Sequence, residues 1–342
     1  MKSNNNQDVL IGKKDNLDSN FLKAAKITPK DDAFHGSMNL FDIEWWYFDA
    51  SFDNNYSLHI GIRLFHIGKS GFVRPHIEIY HKGKLVNHAL KTIIFRDFET
   101  SSDIPLIKLY GKTVVEFDQD HYKKTGEWRY KTNLQINGDQ IDLTFIGLTK
   151  GWKIETDENS WAVALPKAKV EGTLTIKGKQ IKVQGVGYHD HNWDYTIATM
   201  LKNIGWYWGK VNGKDIDITW AKTIAKSKSN LIAVINFKNE FFTVDPKNIS
   251  LTLNKFVLDH LRWIPTEFNL HIDGFDSNLN KISAKVKMTA ETIQHSRIFN
   301  TQYWRYHVKT TGEISVDQSK ETIRDNVHMI EYLCFKSQGK KQ

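Results

Sequence analysis

Six residues just past the middle of the chain, Tyr188-His189-Asp190-His191-Asn192-Trp193, crowd two imidazoles, a carboxyl, an amide and two aromatic rings together. Imidazole and carboxyl groups move protons near neutral pH, and aromatic faces attract cations. Two readings follow. One is a pocket where a proton is delivered beside aromatic faces. The other is a hydrogen-bonded structural cluster at a domain junction. The stretch continues a strand-like run, Lys179–Gly187. On a strand the side chains alternate, so His189, His191 and Trp193 share one face and Tyr188, Asp190 and Asn192 share the other.

His189 and His191 have the His-x-His spacing of a metal site. No HExxH motif or Cys/His set completes one, so no metal is expected. The one cysteine, Cys334 in the strand-like run Ile330–Phe335, excludes a disulfide within the chain and a thiolate cluster. Trp45, Trp46, Trp193, Trp206, Trp208 and Trp220, out of 11 tryptophans, flank strand ends or the motif. They either fill barrel interiors or line a cavity for a flat or polyene ligand. The acids among them are Glu44, Asp49, Asp190, Asp194, Asp215 and Asp217. A carboxyl buried against tryptophan has a raised pKa and stays protonated near neutrality. Such a group can protonate an alkene beside aromatic faces that stabilise the carbocation. GxSxG, SxxK and glycine-rich nucleotide motifs are absent. No organic cofactor is expected.

These residues need strands to position them. Tyr56–Ile67 alternates, and further strand patterns cover Ile107–Phe117, Trp128–Ile136, Gln140–Ile146, Val170–Ile176 and Gln180–Val186. Turns are expected at Lys82-Gly83, Asn137-Gly138, Lys177-Gly178 and Asn212-Gly213. The same style resumes from Gly205 to Phe335. Many short strands with tight turns predict an all-β chain of two antiparallel barrels or sandwiches in tandem, barrels being the expectation taken forward. The expected division is a polar tail over 1–30 with a short helix around Leu17–Ala25, a first barrel over 31–195 and a second over 196–338. The crossing falls near residues 190–205.

The net charge of +8 is spread over scattered lysines, with no basic block before Gly339-Lys340-Lys341. That pattern argues against nucleic-acid binding and leaves a weak attraction to anionic membrane surfaces. The opening residues Met1–Asp8 are polar, and no stretch is long and apolar enough for a spanning helix. The expected location is the cytoplasm.

Glu44-Trp45-Trp46-Tyr47-Phe48, then Gly185-Val186-Gly187-Tyr188-His189-Asp190-His191-Asn192-Trp193, then Trp206-Tyr207-Trp208-Gly209 resemble, in this order, motifs of the carotenoid 1,2-hydratase (hydroxyneurosporene synthase) and AttH-like family. The resemblance covers about residues 40–335. It implies two tandem lipocalin-like (calycin) barrels and a chemistry of isoprenoid hydration by proton addition, or of polyene cyclisation. It sets His191 and Trp193 on the family's active-site His-x-Trp. The hydratases carry a Tyr-x-Asp pair further along, its Asp the proton donor. Here that window, Asp215-Ile216-Asp217-Ile218-Thr219-Trp220, holds none, and Asp190 or Asp217 would have to take the role. The glycine that usually follows the motif tryptophan is Asp194.

The resulting expectation is a hydratase- or cyclase-like protein that protonates a C=C bond of a hydrophobic isoprenoid or polyene. Its catalytic set is His191, Asp190, Trp193 and Asp217. Glu44, Trp45, Trp46, Tyr188, His189, Trp206 and Trp208 surround the substrate. The alternative is a non-catalytic binder of a lipid or isoprenoid. Barrel closure pairs first and last strands, so Glu44 should lie beside the motif and accept a hydrogen bond from one of its histidines.

Overall fold

The computed structural model describes residues 21–36, 41–68, 70–156, 159–225, 229–276, 280–298 and 301–335. The first half forms β1 (Ala25–Lys26), β2 (Asp42–Phe52), β3 (Tyr56–Ile67), β4 (Ser70–His81), β5 (Lys84–Leu90), β6 (Ile93–Ile94) and β7 (Phe98–Thr100). It continues with β8 (Leu106–Leu109), β9 (Lys112–Phe117), the helix α1 (Gln119–Thr125), β10 (Arg129–Ile136), β11 (Asp139–Gly147) and β12 (Trp152–Glu155). Two 17-residue strands close this half, β13 (Ser160–Ile176) and β14 (Lys179–Tyr195). The linker helix α2 (Ile197–Lys202) leads into the second half. There follow β15 (Asn203–Asn212), β16 (Ile216–Ala225), β17 (Asn230–Phe237) and β18 (Glu240–Thr243). The last five are β19 (Ile249–Asp259), β20 (Arg262–Phe275), β21 (Lys281–Ile298), β22 (Thr301–Val316) and β23 (Ser319–Cys334).

The ladders form two antiparallel sheets, one per half, as the strand pattern predicts. The first runs β5-β4-β3-β2-β14-β13-β11-β10-β9-β8-β7, and the second β18-β17-β16-β15-β23-β22-β21-β20-β19. In each, the first long strand pairs with the last: β2 with β14, and β15 with β23. Each sheet curls around its own apolar core. Among the described residues, neither ladder runs round a full circle, so each is a partly open barrel. No described helix is long and apolar enough to cross a membrane.

The expected turns form at Lys82-Gly83, Asn137-Gly138 and Lys177-Gly178, where both residues have positive φ. That is the two-residue hairpin geometry that fits strand twist. The same geometry at Tyr110-Gly111 splits the expected strand Ile107–Phe117 into β8 and β9. After Asn212 the chain instead makes a three-residue loop, Gly213–Asp215, held by backbone donors to Glu321.

The expected tail is corrected over residues 21–30; residues 1–20, and Gly339-Lys340-Lys341, lie outside the described residues. Ala25 and Lys26 pair with Lys153 and Trp152, and Ala24 N donates to Thr243 Oγ1 at 2.6 Å. The expected helix is absent over 21–25. The physical reason is the edge of β12, whose unpaired ladder groups β1 covers.

The outer faces of the two sheets pack on each other. On β2, Trp46, Phe48 and Ala50 enter the first core, whereas Tyr47 joins a third cluster with Tyr188, Trp208 and Val234 at the junction. Several of the charges caught there are paired. Arg305, 1% exposed on β22, reaches Glu78 of the first sheet and donates to Glu331 Oε1 of its own at 2.8 Å. Lys210 pairs with Asp49, and Tyr47 OH donates to Glu331 Oε1 at 2.7 Å. Removing one partner from a buried ion cluster costs about 3–5 kcal/mol, because the other charge is left unpaired. Arg305→Met should therefore lower the urea unfolding free energy by that much. Adding Glu78→Gln and Glu331→Gln should restore a large part, and an Arg305→Met protein as stable as the parent would refute the role of this cluster.

Candidate active site

Strand β14 carries the motif, and its alternation divides the motif between two places. His189, His191 and Trp193 point into the first barrel. Tyr188, Asp190 and Asn192 point to the junction of the two sheets.

Inside the barrel, both histidines are fully buried and bonded to acids. His191 Nε2 donates to Glu44 Oε1 at 3.0 Å. Glu44 also accepts from the backbone N–H of His35 at 2.9 Å and of Gly36 at 3.3 Å, and His66 Nε2 lies 3.5 Å from its Oε2. Burial by itself would raise this carboxyl. The His191 and His66 rings overcome it and hold the pKa down to about 2. His189 Nδ1 donates to the carbonyl of Tyr47 at 2.9 Å, and its Nε2 lies 3.0 Å from Asp32 Oδ2. Asp32 Oδ2 also accepts from Tyr130 OH at 2.6 Å. His189 stacks on Phe48, His191 on Trp46, and His35 on Trp193. The meeting of Glu44 with a motif histidine is as the pairing of first and last strands predicts, since His191 is opposite Trp46 in the ladder. Among the described residues, no group of three or more His, Cys, Asp or Glu is arranged to hold a metal ion.

At the junction the two sheets enclose a cavity of about 1060 Å³. That is the upper end of the roughly 300–1,000 Å³ usual for small-molecule sites. Trp45 and Trp161 line it from the first sheet, Trp206 and Trp208 from the second, and Ile197 and Met200 of α2 from the linker. The indoles of Trp45 and Trp206 lie parallel across the junction at 6.3 Å, with Tyr195 edge-on to both. Tyr195 reaches this side because Asp194 adopts φ 59° and the ladder shifts register between Asn192 and Tyr195. A left-handed residue is cheap for glycine and tolerated by Asp. On the same wall Gly61 makes room for a ring: a Cβ there would stand 2.2 Å from His76 Cε1.

Among the described residues two acids line this cavity, Asp190 and Glu331; Glu331 is taken up by Arg305 and Tyr47, whereas Asp190 has no cation bonded to it. Its Oδ2 accepts from Tyr188 OH at 2.7 Å and from Trp161 Nε1 at 2.9 Å, and its Oδ1 from Asn192 Nδ2 at 3.1 Å. Burial pushes its pKa up to about 7, against the lowering pull of the Trp161 and Tyr188 hydrogen bonds. Oδ1 keeps a free lone pair, and a proton carried there is available to a cavity ligand.

Of the residues singled out in the sequence, Asp190, Trp45, Trp206 and Trp208 line the cavity, and Tyr188 lies beneath Asp190. Glu44, Trp46, His189, His191 and Trp193 do not; they fill the barrel. Asp217 is elsewhere, ion-paired at 3.2 Å with Lys167 of β13, and burial raises its pKa to about 6. The sequence reading passed over Asp32, Trp161, Arg63, Arg305 and Glu331. Asp32 follows a stretch read as tail. The signal for Arg63 and Arg305 is a charge between apolar neighbours, Ile62-Arg63-Leu64 and Trp304-Arg305-Tyr306.

No protein-family model matches the chain, and neither does any curated protein. Solved structures do. A candidate AttH from Nitrosomonas europaea is similar over 91% of this chain and 97% of its own, at 14% identity and TM-score 0.64. Kievitone hydratase from Nectria haematococca is similar over 91% and 94%, at 12% identity and TM-score 0.59. CghA in complex with Sch210972 is similar over 91% and 94%, at 11% identity and TM-score 0.60. At such identities the likeness is one of fold, and it extends over 94% or more of each of those three chains.

The two acids should act on stability in opposite directions. Glu44 falls from 4.5 to about 2 on folding, so its contribution is present above pH 4.5 and disappears as pH falls towards 2. Asp190 rises from 3.8 to about 7, so its ionisation increasingly opposes folding as pH climbs from 3.8 to 7. Urea unfolding across pH 3–8 should show Glu44→Gln losing least at low pH, and Asp190→Asn gaining on the parent up to about pH 7. At neutral pH, His191→Ala should cost about 3–5 kcal/mol. Parallel curves for Asp190→Asn and the parent would contradict the raised pKa.

Proposed function

We propose that this chain is a hydratase- or cyclase-like enzyme that protonates a C=C bond of a hydrophobic isoprenoid or polyene in the cavity between the sheets. One observation carries the reading: a carboxyl with a pKa of about 7 stands in a cavity walled by indoles. A group poised near the working pH is the efficient general acid. The fold likeness to a protein named as a hydratase adds support.

In the proposed step Asp190 Oδ1 gives its proton to one alkene carbon, and the π electrons form that C–H bond. The other carbon becomes a cation, stabilised by the faces of Trp45, Trp161, Trp206 and Trp208. In hydration, water adds to the cation and its surplus proton returns to Asp190. In cyclisation, a second double bond of the same substrate attacks instead, and loss of a proton ends the sequence. Proton and water suffice, and no cofactor enters. A non-catalytic lipid binder would have no use for a protonatable carboxyl on its cavity wall, so Asp190 favours catalysis over that alternative. His191, closed into the barrel with Glu44, acts in this reading by fixing β14, and through it Asp190.

Peripheral membrane contact belongs to the proposal, because a polyene substrate partitions into lipid. The hairpin of β19 and β20 exposes Phe256, Leu258 and Trp263, with Leu261 95% exposed at positive φ at its tip. An exposed, strained leucine suits an apolar surface better than water.

Solvent extraction and mass spectrometry of the purified protein should yield a bound isoprenoid or polyene. Incubated with it in D₂O, the parent should place deuterium on a former alkene carbon. Turnover should fall as pH rises through about 7, about tenfold per unit beyond it, because the acid form is the active one. Asp190→Asn should bind the ligand and incorporate no deuterium. Deuteration by Asp190→Asn at the parent rate would disprove the assignment.

A further inference from the structure

We propose that the cavity contains an anion subsite at Arg63, and that the substrate is a hydrophobic chain ending in a carboxylate. This rests on the proposed function and adds a head group to its substrate.

Arg63 of β3 lines the cavity and is half-buried. Among the described residues no hydrogen bond or ion pair joins it. Two buried junction cations differ: Arg305 holds Glu78 and Glu331, and Lys210 holds Asp49. The carboxylates that face Arg63 at longer range are already engaged. Glu331 is bonded by Arg305 and Tyr47, and Glu78 by Arg305, Tyr80 and His59. They balance its charge at a distance and leave its five N–H donors open. Directly opposite Arg63 in the ladder stands Arg74. Burial draws the Arg63 pKa down, although Tyr303 and Glu331 pull it up. A carboxylate fits a guanidinium fork through two parallel hydrogen bonds.

The register sets the distance from this anchor to the acid. Arg63 pairs with Trp45, which pairs with Asn192, while Asp190 pairs with Tyr47. Arg63 and Asp190 are thus two strands and two residues apart, about 12 Å between their backbones. A carboxylate at Arg63 would send its chain across Trp45 and Tyr47 and bring a double bond beside Asp190.

Farnesoic acid and farnesol, alike except for the head group, provide the test. Binding to the full chain is read by tryptophan quenching and calorimetry at pH 7.5. The parent should bind the acid about tenfold or more tighter than the alcohol, as expected for a charge-assisted pair in a shielded site. Arg63→Gln should abolish that preference and leave farnesol within about twofold, and Arg63→Lys should keep part of it. Circular dichroism checks the fold of each variant. Equal binding of acid and alcohol by the parent overturns the subsite without reference to any variant, as does a preference that survives in folded Arg63→Gln. Binding of farnesol with no gain for the acid leaves the proposed function standing, whereas binding of neither removes both.

Discussion

The guanidinium of Arg305 joins a carboxylate of one sheet to a carboxylate of the other at the centre of the molecule. Its position follows from a constraint on the whole fold. Each sheet curls around an apolar core and then packs its outer face on its neighbour, so the strands at the junction are buried on both faces. A sheet face open to water can carry any polar residue. A face pressed on another sheet favours charges that pair with one another. Asp49, Lys210, Glu78, Arg305 and Glu331 pair in this way, tied in by the hydroxyls of Tyr47 and Tyr80.

The same double burial makes the cavity chemically useful. Strand β14 turns histidines inwards and an acid outwards, and the two sets have opposite electrostatics. The histidines sit against Glu44 and Asp32, which they hold in closed hydrogen-bonded pairs. Asp190 has dipoles for partners, not cations: an indole N–H, a phenol and an amide. Three dipoles do not offset the loss of water around a carboxylate, so its pKa climbs to about 7. Rigidity on the barrel side thus holds in place a protonatable group on the cavity side, with aromatic faces of both sheets around it.

Much of this was present in the sequence. Alternation assigned the β14 residues to their two faces correctly, because a strand's period of two is a local property. The turns at Lys82-Gly83, Asn137-Gly138 and Lys177-Gly178 followed from local φ preferences. The contact of Glu44 with His191, 147 positions apart, followed from the need to pair the first and last strands of a curled sheet.

The sequence by itself determined the strands, their pairing at the seam and the content of each face, since all of these depend on neighbours along the chain or on closure of a single sheet. It did not reveal which face of β14 borders a cavity, and so it could not separate His191 from Asp190 in function. That was decided when the second sheet came to rest on Tyr188 and Asp190. The same docking set Asp217 apart with Lys167, and left Arg63 facing the cavity with no hydrogen bond or ion pair of its own among the described residues. Each of these depends on which charges two separate sheets bring together. Such encounters leave no period or spacing in the chain, because the groups concerned become neighbours only after both sheets have formed.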